Sequence, residues 1–189
     1  MAIAKRATQP LATGATHLAL LRGINVGKAK RIAMADLRAV MESLGCTGVR
    51  TLLNSGNVVY NTRKQLSGWQ VQQAILNASG VDTRTTVLTV AELDTIIREH
   101  PMVDVVTDHT RFVCYVTPTV EELAKLEPLL AMTWAPEQIA LGSRAAYVWS
   151  PDGLLAGKLF EFIGKRLRDA TTARNWATMC KLHLLVHGS

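Results

Sequence analysis

Cysteine is scarce in this sequence, and long apolar runs are missing from it. The 189 residues include three cysteines, Cys46, Cys114 and Cys180, and their odd number and wide spacing exclude a disulfide framework and a CxxC pair. The apolar run at residues 18–21 is far shorter than the roughly 20 residues that cross a bilayer. Residues 1–14 do not resemble a secretory signal, because no apolar run follows their basic residues. We therefore expect a cytoplasmic protein with no membrane partner and a flexible tail over residues 1–14.

The common catalytic and metal-binding motifs are also missing. None of the five histidines has the HExxH spacing, and no GxSxG segment is present to hold a hydrolase serine. His183 and His187 are four residues apart on the predicted last helix and share one face, but two ligands without a third make a weak metal site. Half-buried histidines are the favoured interpretation, so the sequence predicts no metal. It identifies no cofactor and leaves open whether the protein is an enzyme.

Charge and aromatic content narrow the range of partners. Hydrophobic residues make up 48% and charged residues 19%, which excludes a disordered chain. The formal net charge is +6, with 11 basic and three acidic residues in 1–90, three and nine in 91–139, and seven and three in 140–189. Such a distribution suits an anion site built from both ends of the chain, although a solvated surface explains it equally well. The first-half strands supply only Tyr60 for stacking on bases, which disfavours RNA binding.

Periodicity predicts alternating strands and helices in both halves. In the first half the predicted strands are residues 15–21, 49–53, 58–60 and 85–90, with helices near 37–44 and 69–78. This is the order of a ferredoxin-like unit. Most of that order recurs with strands at 112–116, 139–141 and 145–149 and helices beginning near residues 91, 120 and 155. We predict an α+β protein of two ferredoxin-like subdomains, residues 15–105 and 106–189, the second ending in a C-terminal helix.

The first candidate site is the loop between the first strand and the first helix, Arg22-Gly23-Ile24-Asn25-Val26-Gly27-Lys28. Its backbone N–H groups and its cations suit a phosphate group. The loop is not a P-loop, because three residues separate its glycines where GxxxxGK[ST] has four. The alternative is a turn whose glycines serve only the backbone.

Two further polar segments are candidates. In Asn54-Ser55-Gly56-Asn57 the side chains either bind a ligand or, as the favoured interpretation, build a hairpin turn. In residues 171–176, a threonine is predicted to cap the last helix, which places Arg174 at the positive end of the helix dipole and favours an anion beside it. The alternative is an ion pair between Arg174 and a carboxylate such as Asp169, with Trp176 in the core.

Four segments together resemble a known bacterial family. They are LLRGINVG (residues 20–27), MADLR (34–38), NSGNVV (54–59) and TARNW (172–176), and they resemble the domain-of-unknown-function family 1697 over residues 16–185. The resemblance implies two ferredoxin-like subdomains in a cytoplasmic protein, and it brings no biochemical activity with it. The chain departs from the family's usual pattern at residues 28–30 and at Ala177, where asparagine is frequent.

The predicted function is binding of a small anionic ligand, a nucleotide or phosphorylated metabolite, at the junction of the two subdomains. A non-catalytic scaffold with an unidentified protein partner and a nucleic-acid-binding module are the alternatives. The predicted ligand-binding residues are Arg22, Gly23, Asn25, Lys28, Asn54, Ser55, Asn57, Arg174, Asn175 and Trp176.

Overall fold

Four antiparallel strands and two helices form the first half of the computed structural model, which describes residues 14–27 and 30–188. The strands are β1 (Ala15–Leu21), β2 (Thr47–Leu52), β3 (Asn57–Thr62) and β4 (Thr85–Thr89), and the helices are α1 (Met34–Ser43) and α2 (Gly68–Ser79). The sheet order is β2-β3-β1-β4. The predicted tail, apart from its last residue, lies outside the described residues.

The second half repeats this arrangement after a linking helix, α3 (Val90–Arg98). Its strands are β5 (Phe112–Val116), β6 (Gln138–Leu141), β7 (Ala145–Trp149) and β8 (Thr172–Asn175), in the order β6-β7-β5-β8. Its helices are α4 (Val120–Ala124), α5 (Glu127–Leu130), α6 (Leu159–Leu167) and α7 (Trp176–His187). The two matching sheets confirm the prediction of an α+β fold with duplicated ferredoxin-like halves.

Three apolar clusters divide the protein into layers. One face of the first sheet packs against α1 and α2, and one face of the second sheet packs against α4, α5 and α6. The other faces of both sheets share a central cluster with α3 and α7, which contact each other. Helices therefore cover both faces of each sheet. Within the described ranges, no helix is long and apolar enough to span a membrane.

Capping side chains hold the starts of α3 and α4, which lie close to residues 91 and 120, where the sequence predicts helices to begin. Thr89 and Glu92 form a reciprocal capping box at the start of α3, and the Thr119 hydroxyl accepts from the Glu122 N–H at α4. The last helix differs from the prediction, because its N-cap is Asn175, not a threonine. Residues 172–175 pair with β5 as strand β8 instead. Strand pairing outweighs the local capping preference of threonine here.

His100 lies beside the aromatic part of the central cluster and carries a prediction of pH dependence. Its ring centroid is 4.4 Å from that of Phe112 and 4.5 Å from that of Trp176, and its Nδ1 accepts from the Met102 N–H (3.2 Å). Burial, with a smaller contribution from His109, lowers the pKa of His100. The unfolded chain therefore takes up this proton first as the pH falls. Stability is expected to fall as the pH drops below about 6.5, the ordinary histidine pKa.

Thermal unfolding between about pH 5 and pH 8 measures this dependence. His100→Gln removes the titrating ring, so the midpoint of the variant should fall less steeply at acid pH. Equal slopes for the wild-type chain and the variant would contradict the assignment.

Candidate anion-binding site at the junction of the two halves

The loop that follows β1 is held in shape by Asn25. Its side-chain amide donates to the carbonyl oxygens of Ile32 (3.0 Å) and Asn54 (2.9 Å), and its Oδ1 accepts from the Ile32 N–H (2.9 Å). Gly23, Asn25 and Gly27 have φ values of 67°, 57° and 63°, in the left-handed region that glycine and asparagine tolerate best. Asn25 therefore ties the loop to the β2–β3 hairpin. The predicted ligand contact Lys28 lies outside the described residues.

Asn57 begins β3 and is fully buried. Its side-chain amide donates to the Leu52 carbonyl oxygen (2.9 Å) and to the Ser55 hydroxyl (3.0 Å). These bonds close the hairpin. They leave the side-chain oxygen of Asn57, Oδ1, available to accept a hydrogen bond from the second half of the chain.

Arg174 on β8 supplies that donor and binds the two halves together. Its Nε donates to Asn57 Oδ1 (2.5 Å), and its Nη2 donates to the carbonyl oxygens of Leu21 (2.7 Å), Ser55 (3.0 Å) and Gly56 (3.3 Å). The side chain is nearly buried, and this burial lowers the pKa of Arg174 to about 10, so the group stays charged at neutral pH. Carbonyl dipoles, not a carboxylate, surround this charge.

The ion pair considered between Arg174 and Asp169 does not form. Asp169 lies instead 3.7 Å from Nη2 of Arg22, whose Nη1 donates to the Thr171 carbonyl oxygen (3.0 Å). Among the described residues no carboxylate pairs with Arg174. Both arginines therefore cross from one half of the chain to the other.

A cavity of about 540 Å³ opens beside these two arginines and has walls from both halves. Its volume is within the range of small-molecule sites, about 300–1,000 Å³. Ile24, Val26, Phe160 and Ile163 give it an apolar wall. The charged residues that line it are Arg22, Glu161, Arg168 and Arg174.

Tyr115 also lines this cavity, and its hydroxyl is an unsatisfied polar group. The side chain is 3% exposed, and within the described residues its hydroxyl has no hydrogen-bond partner. Burial raises its pKa, Glu137 raises it further, and the nearby charge of Arg22 lowers it. A buried hydroxyl without a partner costs stability, and such groups in folded proteins are uncommon.

A second, more polar groove of about 670 Å³ adjoins the cavity through Arg168, which lines both. Arg168 has a φ of 46°, a strained value for a residue with a side chain. The groove brings five cations together with two carboxylates. The cations are Arg84, Lys125, Lys165, Arg166 and Arg168, and the carboxylates are Glu122 and Asp169.

The structure brings some of the predicted residues to the cavity and places others elsewhere. Arg22, Gly23, Ser55 and Arg174 line it. Asn175 caps α7, where its Oδ1 accepts from the Thr178 N–H (3.0 Å). Trp176 is buried in the central cluster. Tyr115 and Arg168 also line the cavity and are not among the predicted residues. An apolar strand gives no signal that one of its tyrosines is unpartnered, and Arg168 is one of several cations near the end of the chain.

Comparison with known proteins identifies a family for this chain. The family model described as "Protein of unknown function (DUF1697)" matches residues 15–147, well over half of the sequence. The chain belongs to the DUF1697 family. The matched region of this DUF1697 protein includes Arg22, Asn57 and Tyr115 and ends before Arg174.

The DUF1697 protein is similar in structure to the conserved bacterial protein SP0830 from Streptococcus pneumoniae. The two have a TM-score of 0.72 at 18% sequence identity, over 92% of this chain and 98% of that one. At this identity the likeness supports the fold and no particular activity. No curated protein matches the chain.

Proposed function

We propose that the protein binds a small anionic ligand, a nucleotide or phosphorylated metabolite, in the cavity between its two halves. The unpartnered hydroxyl of Tyr115 carries this proposal, because it is buried beside a cavity lined by three arginines. A ligand oxygen there would accept a hydrogen bond from the hydroxyl. This bond would remove the free-energy penalty of burying the hydroxyl without a partner.

Each wall of the cavity has a role in this proposal. Arg168 is exposed and Arg22 is partly exposed, so both guanidinium groups can contact phosphate oxygens. In this proposal Arg22 keeps its bond to the Thr171 carbonyl oxygen, and the anion takes the place of Asp169, which lies 3.7 Å away. Glu161, the carboxylate that lines the cavity, pairs with Lys165 (2.5 Å), which reduces its repulsion of an anion. The apolar wall suits a flat organic group such as a nucleobase.

Other predicted ligand residues support the site without binding the ligand directly in this proposal. Arg174 adds a fixed positive charge, but most of its donors already serve carbonyl oxygens. Asn25, Asn54 and Asn57 hold the loop and hairpin in position. In this proposal the two subdomains divide between residues 105 and 106, and the cavity lies between them. No catalytic role and no cofactor is part of the proposal.

Nucleic-acid binding is the second candidate function. The polar groove that adjoins the cavity through Arg168 favours it. Five cations and two carboxylates line this groove, and the excess of positive charge suits a phosphodiester backbone. Base stacking on a sheet is disfavoured, because helices cover both faces of each sheet and Tyr60 is fully buried. The scaffold alternative is supported by Arg174, because oxygen atoms of the protein itself already accept from most of its N–H groups.

A thermal-shift panel of nucleotides, phosphorylated metabolites and short oligonucleotides tests the three candidates. A ligand at about 100 times its Kd adds roughly 2.7 kcal/mol, which raises the Tm of a chain of this size by about 5–11 °C. Hits confined to oligonucleotides that weaken with salt would favour the groove. A flat panel on the folded protein would overturn ligand binding and leave the scaffold.

Tyr115→Phe separates a ligand role from a structural one. The variant loses an unsatisfied hydroxyl, so the free protein should be as stable as the wild type or more stable by about 1 kcal/mol. Its affinity for any small anion found in the panel should fall about 10–100-fold, the effect of one hydrogen bond to a charged group. Isothermal titration measures the affinity, and denaturant unfolding measures the stability.

Tyr60→Phe is the matched control for this variant. The Tyr60 hydroxyl is also buried without a partner among the described residues, but Tyr60 packs under α1 and α2 in the cluster of the first sheet. Its loss should change stability as Tyr115→Phe does and leave ligand affinity unchanged. Equal ligand affinity in the two variants would place the ligand outside the cavity.

A further inference from the structure

Two imidazoles and one carboxylate meet where α3 contacts α7, and none of the three lines the junction cavity. Nε2 of His187 lies 2.7 Å from Oδ1 of Asp94, and Nε2 of His183 lies 3.2 Å from the same oxygen. The two imidazole centroids are 4.6 Å apart. Asp94 is the third group that the histidine pair lacks in the sequence, where it stands 89 residues before His183.

The spacing of these atoms is close to that of a metal site. In a tetrahedral zinc site the ligands lie about 2.0–2.2 Å from the ion, so ligand atoms are about 3.3 Å apart. The three candidate ligand atoms all lie within 4.8 Å of one another. The i, i+4 spacing on α7 keeps both rings on one face, so small rotations of the side chains suffice to surround an ion.

We propose that Asp94, His183 and His187 bind a divalent transition-metal ion of the zinc type, with solvent water completing its coordination. Two nitrogen ligands favour zinc over magnesium or calcium, which take oxygen ligands. The side chains of the three residues are 33%, 33% and 46% exposed, so an ion reaches them directly from solvent. The bound ion links α3 to α7 within the layer that joins the two sheets.

The competing interpretation is a metal-free cluster in which the aspartate pairs with the histidines. The two interpretations differ in their response to added metal. A metal ion requires the nitrogen lone pairs and displaces protons from them, whereas a plain ion-pair cluster gains nothing from zinc.

Titration of the full chain with zinc sulfate, after treatment with EDTA and its removal, tests the proposal. Isothermal titration should give one site per chain. His187→Ala and Asp94→Asn should each weaken zinc binding by more than the ~10–100-fold that loss of a merely supporting group costs. His109→Ala is the matched control, because His109 is exposed and outside the cluster, and it should bind zinc as the wild type does.

A second measurement shows whether each variant is folded before its zinc binding is compared. Each variant is first compared with the wild type by circular dichroism without metal, where equal spectra are expected because the three residues are partly exposed. Zinc should then raise the Tm of the wild type and of His109→Ala and leave the Tm of the other two unchanged. Absence of zinc binding by the wild type, or equal binding by all four proteins, would overturn the proposal.

Discussion

Arg174→Ala is expected to lower the free energy of unfolding by about 3–5 kcal/mol, because buried acceptors lose a charged donor and each acceptor left unsatisfied costs about 1–3 kcal/mol. The change leaves Asn57 Oδ1 without its buried donor and takes a charged donor from the Leu21 carbonyl oxygen. The Gly56 carbonyl oxygen keeps its bond from the Leu21 N–H (2.8 Å). For a chain of this size the loss corresponds to a fall in Tm of roughly 6–20 °C. Denaturant unfolding of the two proteins measures it.

Arg174→Lys and Arg50→Ala are the controls for this expectation. Lysine keeps the charge but cannot present the planar fork of donors that reaches several acceptors at once, so a large part of the loss should remain. Arg50 is exposed on β2, and its replacement should stay within about 0.5 kcal/mol. A loss for Arg174→Ala no larger than for Arg50→Ala would contradict the role assigned to Arg174.

A double-mutant cycle with Asn57→Ala isolates the contact between the halves. Both side chains are buried and joined by one short hydrogen bond. Their changes should be non-additive by about 0.5–3 kcal/mol, the range for residues in one network. Because Arg174→Ala disturbs the junction itself, the milder Tyr115→Phe is the better probe of a ligand in the cavity.

Local sequence signals predict most of the fold. Apolar strand patterns, the hairpin between β2 and β3, and the starts of α3 and α4 depend on neighbours within a few residues, and the structure confirms them. The two halves share one strand order, which the repeated pattern also predicts. Strand β8 is one exception, because its four residues have little local signal and are held by pairing with β5. Helix α6 is another, because it begins at Leu159 and not near residue 155.

The candidate sites depend on contacts that the sequence cannot display. Arg174 meets Asn57 across 117 positions of chain, so its charge is predictable but its partners are not. The Tyr115 hydroxyl lacks a partner among the described residues because of how segments from both halves pack around the cavity. Asp94 joins His183 and His187 only because α3 packs on α7. Residue types and strand ends therefore indicate where a candidate site lies, and tertiary packing determines which side chains meet there.

Glu137→Ala is expected to cost about 2–4 kcal/mol, because charged hydrogen bonds are worth more than neutral ones. The Glu137 side chain is buried at the start of α6. It accepts from the Ser150 hydroxyl (2.9 Å) and from the backbone N–H groups of Lys158 (2.7 Å) and Leu159 (3.1 Å). The carboxylate thus fills the positive end of the helix, and its loss should loosen the α6 wall of the junction cavity.

Gly157→Ala tests the same contact without removing the carboxylate. A Cβ at Gly157 would lie 2.0 Å from Oε1 of Glu137, far inside van der Waals contact, so the carboxylate has to shift and its bonds to the N–H groups of Lys158 and Leu159 weaken. The expected loss of stability is similar to that of Glu137→Ala, and the double variant should lose little more than either alone, since both act on one contact. Glu42→Ala, an exposed glutamate on α1, should change stability by less than about 0.5 kcal/mol. Additive losses in the double variant, measured by denaturant unfolding, would show that the glycine and the carboxylate stabilise α6 independently.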